Sequence, residues 1–147
     1  MQRSERAVSS NPVSQDTVSA NAGVAKGATM MPVSAETAEH YIWGEQQGPA
    51  CDGWHLVRGE GLSVIEERMP PGAREERHFH ARARQFFYVL EGELTLEVDR
   101  REHGLGAGQG IEVGPGTPHQ VLNASREPVR FLVISSPPGQ GDRQSSG

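Results

Sequence analysis

Roughly between residues 54 and 136 the chain runs through "WHLV", "LSVIEERM", "QFFYVL", "ELTLEVD", "GIEV", "HQVLN" and "VRFLVIS", parted by clusters of Gly, Pro, Asp and Asn. Alternation with a period of two gives each run one apolar face. Seven or more short runs at this spacing can bury those faces only against one another, which predicts an all-β sandwich or barrel. "LEGEL" (90–94) reads as a tight hairpin, and "EVDRREHGL" and "GAGQG" read as turns. One short helix is expected over "SAETAEHYIWG", capped by Ser34 with Glu36 and Glu39 following.

The flanks differ in character. Residues 1–33 are rich in Ser, Ala, Asn, Val and Gln and contain no aromatic residue, Leu or Ile. Such a segment cannot bury enough apolar surface to offset its ordering entropy, so it is expected to be a disordered extension. Met30 and Met31 stand at the change of character and are a candidate natural start. The expected domain covers 34–137, and the last residues, 138–147, are expected to form a flexible tail. At 147 residues there is room for one domain. A formal charge of −5 argues against a nucleic-acid partner, which needs a basic face. No apolar run is long enough to cross a membrane, and the start lacks the apolar stretch of a secretory signal. The one cysteine, Cys51, excludes an internal disulfide and fits a reducing compartment, so a cytoplasmic protein is expected.

Chemistry concentrates in "RHFHARARQFFYVLEGE". Residues two apart in a strand share a face, so the imidazoles of His78 and His80 project together. Gln85 opens the next strand, sharing a face with Phe87 and Val89, while Phe86, Tyr88 and Leu90 take the other. Far downstream, the turn in "GPGTPHQVLN" delivers His119 into a strand. If the faces match, His78, His80 and His119 converge with Gln85 in one barrel mouth. Three neutral imidazoles and an oxygen donor suit a divalent transition metal: iron, manganese, nickel, cobalt, zinc or copper. The HxH pair alone is also compatible with exposed histidines or histidines satisfied within a core.

Gly72 to Gly92 reads G-x5-H-x-H-x4-Q-x6-G, and Gly108 to Asn123 reads G-x5-G-x-G-x2-H-x3-N. These resemble the two motifs of the cupin superfamily, in order and with the short separation of compact single-domain members. The first motif usually carries Glu where this chain has Gln85, and Gly114 replaces the usual Pro of the second. The resemblance implies an antiparallel jelly-roll barrel (a double-stranded β-helix), commonly a homodimer. It also implies a metal held by His78, His80, His119 and the residue at position 85.

Gln85 has two readings: ligation through its amide oxygen, or a hydrogen bond to a metal-bound water. A neutral amide leaves more positive charge on a divalent site than a carboxylate would. That should acidify bound water, attract anionic chelating small molecules and disfavour a higher oxidation state. Arg74, Arg77, Arg82 and Arg84 surround the HxH pair. Arg82 and Arg84, in the turn between the ligand strands, either steer a carboxylate or phosphate toward the metal or belong to a solvated charged turn with Glu75 and Glu76 as partners. Cys51 reads as a plain packed or surface thiol, and His40, His55 and His103 lack partners at ligand spacing. Trp43, Trp54 and Tyr41 read as core or interface anchors. Phe79, Tyr88 and Glu112 are expected to point away from the ligands. The functional expectation is a metal-dependent dioxygenase, isomerase or lyase acting on a small organic substrate. The alternatives are a non-catalytic ligand-binding or sensory module and a structural dimer with a vestigial site.

Overall fold

The computed structural model of the protein describes residues 30–139 and 141–146. The extension expected over residues 1–33 falls, as far as residue 29, outside the described residues. Eleven strands follow in order: β1 (Glu39–Trp43), β2 (Cys51–Arg58), β3 (Ser63–Met69), β4 (His78–His80), β5 (Arg84–Glu91), β6 (Leu94–Val98), β7 (Arg101–Leu105), β8 (Gly110–Val113), β9 (His119–Leu122), β10 (Val129–Ser136) and β11 (Arg143–Ser145). They form a six-stranded sheet, β1-β2-β3-β10-β5-β8, facing a five-stranded sheet, β11-β4-β9-β6-β7. The registered strand pairs are antiparallel. The all-β jelly-roll expectation holds.

The alternation read from sequence is the alternation observed. Gln85, Phe87 and Val89 of β5 are buried, whereas Arg84, Phe86 and Leu90 are exposed. Phe87, Val89, Phe131 and Val133 from one sheet meet Leu94, Leu96 and Val121 from the other in a single cluster. Each fully buried apolar side chain of this size contributes about 1.5–3 kcal/mol. That cluster, rather than the polar residues at one end, holds the sheets together.

Three expectations need correction. The helix over 34–44 does not form. Ser34 caps a single turn, its Oγ accepting from Glu36 N at 3.1 Å, and Glu39–Trp43 continue as β1. Tyr41 and Trp43 are buried there by alternation, so packing against β2 overrides local helix preference. Next, "LEGEL" is not a hairpin: β5 pairs with β10 and β8, and β6 pairs with β7 and β9, so the chain changes sheets at this point. Gly92 makes the crossing, with φ +89° and space for a Cβ only 2.6 Å from the Pro128 carbonyl oxygen. The tight hairpin lies instead at Asp99 and Arg100, both at positive φ, between β6 and β7. Finally, the tail assigned to 138–147 is not all free: Arg143–Ser145 pair with His78–His80.

Candidate metal centre

His78 and His119 are direct cross-strand partners of β4 and β9, and His80 lies two residues along β4 on the same face. Their rings sit with centroids 4.5 Å (His78–His119), 4.9 Å (His78–His80) and 6.0 Å (His80–His119) apart. One nitrogen from each lies within 4.8 Å of the other two, a spacing that can hold one metal ion. All three are buried.

The hydrogen bonds decide which nitrogen faces inward. Nδ1 of His78 lies 2.9 Å from the Glu76 carbonyl, and Nδ1 of His119 lies 2.9 Å from the Thr117 carbonyl. Nδ1 of His80 lies 2.9 Å from Oδ1 of Asp142. An oxygen acceptor in each case assigns the proton to Nδ1 and leaves the lone pair on Nε2. Arg143 Nη2 also lies 3.3 Å from Nδ1 of His78, but two donors cannot bond each other, so the guanidinium turns to the Glu76 carbonyl at 3.5 Å. The three Nε2 atoms are buried without a hydrogen-bond partner. Burial holds all three imidazoles well below the usual histidine pKa, His80 at about 4 despite the opposing pull of Asp142. They are therefore neutral near pH 7, as metal ligation requires.

Gln85 is buried at the start of β5, beside this group in sequence and facing the same interior. Its Nε2 donates to Ser135 Oγ at 3.0 Å, which orients the amide, and its Oε1 has no partner. Three buried imidazole lone pairs without partners are a donor set that could hold a divalent transition metal, and the Gln85 amide oxygen is a further buried acceptor without a partner. An unsatisfied buried polar atom costs about 1–3 kcal/mol, a cost that an ion bound by these atoms would offset.

The residues that orient the histidines were not foreseen. Asp142 stands in the segment whose composition predicts a flexible tail, and its Oδ2 also accepts from the amides of Arg82 and Ala83 at 2.7 and 3.1 Å. Gly139 lies against the His80 ring, where a Cβ would come within 2.8 Å. Glu75, expected as a partner for the arginines, is buried. Its Oε2 accepts from Val121 N at 3.1 Å and lies 3.7 Å from Nδ1 of His78. The arginines pair elsewhere: Arg77 bonds Glu97 in a two-pronged contact at 2.7 and 3.1 Å, and Arg84 meets Glu112 at 2.8 Å on the surface. The solvated-turn reading of these arginines is thus nearer the structure, with different partners. Among the described residues it is Arg143 that lies beside the histidines, 3.3 Å from Nδ1 of His78. No local pattern in the sequence marks Asp142 or Arg143, because β11 is three residues long and lacks apolar alternation.

Two facing antiparallel sheets with three histidines converging from β4 and β9 define a double-stranded β-helix barrel whose interior could hold a metal ion. The Cupin domain family model matches residues 65–135, and the chain is a member of the cupin superfamily. Among curated proteins it is 29% identical to protein MJ1618 of Methanocaldococcus jannaschii over 84 residues, covering 57% of this chain and 67% of that one. It is 33% identical to the polyketide synthase CurC of Streptomyces cyaneus over 77 residues, covering 52% of this chain and 47% of CurC. It is 29% identical to the HTH-type transcriptional regulator PuuR of Escherichia coli over 76 residues, covering 52% of this chain and 41% of PuuR. The chain thus spans about half the length, or less, of the last two. Among solved structures, the polyketide cyclase RemF of Streptomyces resistomycificus superposes with a TM-score of 0.67 at 19% identity, covering 81% of this chain and 87% of RemF. No helix among the described residues is long and apolar enough to cross a membrane.

Proposed function

We propose that His78, His80 and His119, with Gln85 as the fourth donor, hold a divalent transition metal, and that the protein is a metal-dependent enzyme acting on a small carbonyl-bearing or hydroxyl-bearing molecule. The observation that carries this reading is the set of three buried Nε2 lone pairs, each aimed inward by a bonded Nδ1. A bound metal would act as a Lewis acid toward a chelating, preferably anionic, substrate. With a neutral amide in place of a carboxylate the site keeps both positive charges of a divalent ion. This favours redox-neutral chemistry, an isomerisation or lyase-type elimination, over a dioxygenase reaction that raises the metal's oxidation state. Elemental analysis of protein purified without a histidine tag tests the metal. Oxygen consumption with catechols, flavonols, thiols or diketones would count against the redox-neutral assignment.

A second reading is a ligand-binding or sensory module without turnover. It is favoured by the match to part of a transcriptional regulator. A co-purified small molecule that is released unchanged on denaturation supports this reading over the first.

The partner chemistry on the outside of the barrel is a second copy of the chain. On the outer face of the six-stranded sheet Phe86 and Tyr88 stack at 6.1 Å, and their register partners on β10 are Ile134 and Leu132. Phe86 and Leu90 remain 37% and 42% exposed, an apolar face that a homodimer would cover. The buried, unpaired Cys51 fits a reducing cytoplasm.

A further inference from the structure

A second polar group lies inside the same barrel, on the six-stranded sheet, built from residues the metal reading does not use. Tyr41 of β1, Gly53 of β2 and Glu67 of β3 stand in one register row. The Tyr41 ring lies flat over Gly53, where a Cβ would come within 2.2 Å of Cζ, and its hydroxyl donates to Glu67 Oε2 at 3.0 Å across the intervening strand. His55 packs on the Tyr41 ring with centroids 4.9 Å apart. Glu67 is 0% exposed and His55 is 7% exposed. Glu67 Oε1 and both ring nitrogens of His55 have no hydrogen-bond partner. A carboxylate needed only to tie down a tyrosine would have no reason to be buried with its second oxygen unpaired.

This group is tied to the histidine cluster through shared neighbours. The charges of Glu75 and Arg143 act on Glu67, and the same two side chains lie 3.7 and 3.3 Å from Nδ1 of His78. Tyr41 of β1 bonds Glu67 and His55 of β2 packs on that tyrosine; Cys51 of β2, Glu75 from the segment before β4 and Arg143 of β11 are linked to Glu67 through charge, and its β10 partner is the apolar Phe131.

We propose that Glu67, positioned by Tyr41, is the proton acceptor and donor for a small carbonyl compound bound in the barrel beside the three histidines. The ionised carboxylate accepts from Tyr41 at Oε2 and presents Oε1 as a base. In the forward step the C–H bond next to a carbonyl breaks and its proton moves to Oε1. The C–H electron pair becomes the C=C bond, and the carbonyl π pair moves onto oxygen to give the enolate. Return of a proton from Oε1 to the same carbon restores the C–H bond and the keto form, so no oxidant or reductant is consumed. Burial first, and then Glu75, raises the Glu67 carboxyl to about 7, where the acid and base forms coexist at neutral pH. Tyr41 opposes that rise by stabilising the carboxylate, and Gly53 exists as glycine to admit the ring.

The proposal rests on the barrel interior being the ligand site, and its test separates that from the metal. Carbon-13 NMR of protein labelled at glutamate Cδ reads the Glu67 midpoint directly, the resonance being the one lost in Glu67→Gln. The expected midpoint is near neutrality, moving to higher pH in Tyr41→Phe and in Gly53→Ala; a midpoint in the ordinary carboxylate range overturns the proposal. Deuterium incorporation into the methyl group of pyruvate, an anionic chelating keto acid, then reads proton transfer. Wild-type protein should exchange about 100-fold faster than Glu67→Gln of equal metal content, with the Tyr41→Phe pH profile displaced alkaline. Equal rates in wild type and Glu67→Gln overturn it. If wild-type protein takes up no metal while the carbon-13 midpoint is as expected, the metal assignment fails and the buried proton site stands.

Discussion

The Asp142 carboxylate sits 2.9 Å from Nδ1 of His80, although 62 positions separate the two residues in sequence. Its other oxygen collects the amides of Arg82 and Ala83, the turn that leads into Gln85. One side chain from the last strand region therefore fixes a histidine ring and the turn before Gln85 together.

Replacing that side chain should loosen the centre without removing a donor from it. Asp142→Ala is expected to weaken divalent metal binding by about 10–100-fold, measured by competition with a chromophoric chelator. An affinity equal to that of wild type would show that the carboxylate has no part in orienting His80.

At position 85 the charge argument gives the opposite direction. Gln85→Glu should tighten divalent metal binding, because a carboxylate is a stronger donor than an amide and neutralises one positive charge. Unchanged or weaker affinity in the same titration would tell against direct ligation by Gln85.

The buried Glu67 should leave its mark on stability as well. Its carboxyl rises from 4.5 to about 7 on folding, so between those values the folded state holds more of this proton than the unfolded state. Stability contributed by Glu67 is therefore greatest in acid and declines as pH rises through that window, by a total on the order of 3 kcal/mol. His55 runs the other way. Burial lowers its pKa from 6.5 to about 4, so its contribution is lost as pH falls from 6.5 toward 4. Because the two offset each other, the contrast lies between wild type and Glu67→Gln in urea melts: the variant should gain on wild type from pH 4.5 to 7. Parallel curves would show that Glu67 titrates alike in both states.

The β6–β7 hairpin offers a change remote from the interior. Arg100 occupies φ 73°, a region where a side chain is strained and glycine is not. Arg100→Gly is expected to stabilise the fold by about 1 kcal/mol in thermal or urea unfolding, offset slightly by greater freedom in the unfolded chain. A net loss of stability would mean that the Arg100 side chain contributes more than its backbone costs.

The outer sheet face gives a fifth expectation. Phe86→Lys places a charge on the apolar row without touching Gln85 or Phe87, which face inward. Analytical ultracentrifugation should show a dimer for wild type and a shift to monomer for the variant; a monomeric wild type would remove the dimer from consideration.

Where burial alternates within a single strand, the sequence was a sufficient guide. The faces of β5, the pairing of His78 with His80 on one side, and the delivery of His119 by the glycine-rich turn were all legible, because a period of two has one consistent answer once an interior exists. What escaped depends on partners distant in the chain. Glu39–Trp43 looks helical alone and becomes a strand because β2 buries Tyr41 and Trp43. Gly92 looks like a hairpin glycine, and only the separate partners of β5 and β6 show that it carries the chain between sheets. Glu67, in a strand read only for its apolar residues, gave no sign that its carboxyl would meet a tyrosine two strands away. Asp142 was hidden by the composition around it, since Gly, Gln and Ser predict no element.

β4 and β9 are registered through a single residue pair, His78 with His119, the narrowest seam in the five-stranded sheet. An ion shared by those two imidazoles would act as a clasp on that seam, binding only the closed form of the chain. Such a clasp would add to the hold of the apolar cluster, and the chain's resistance to unfolding would rise with the free metal concentration around it.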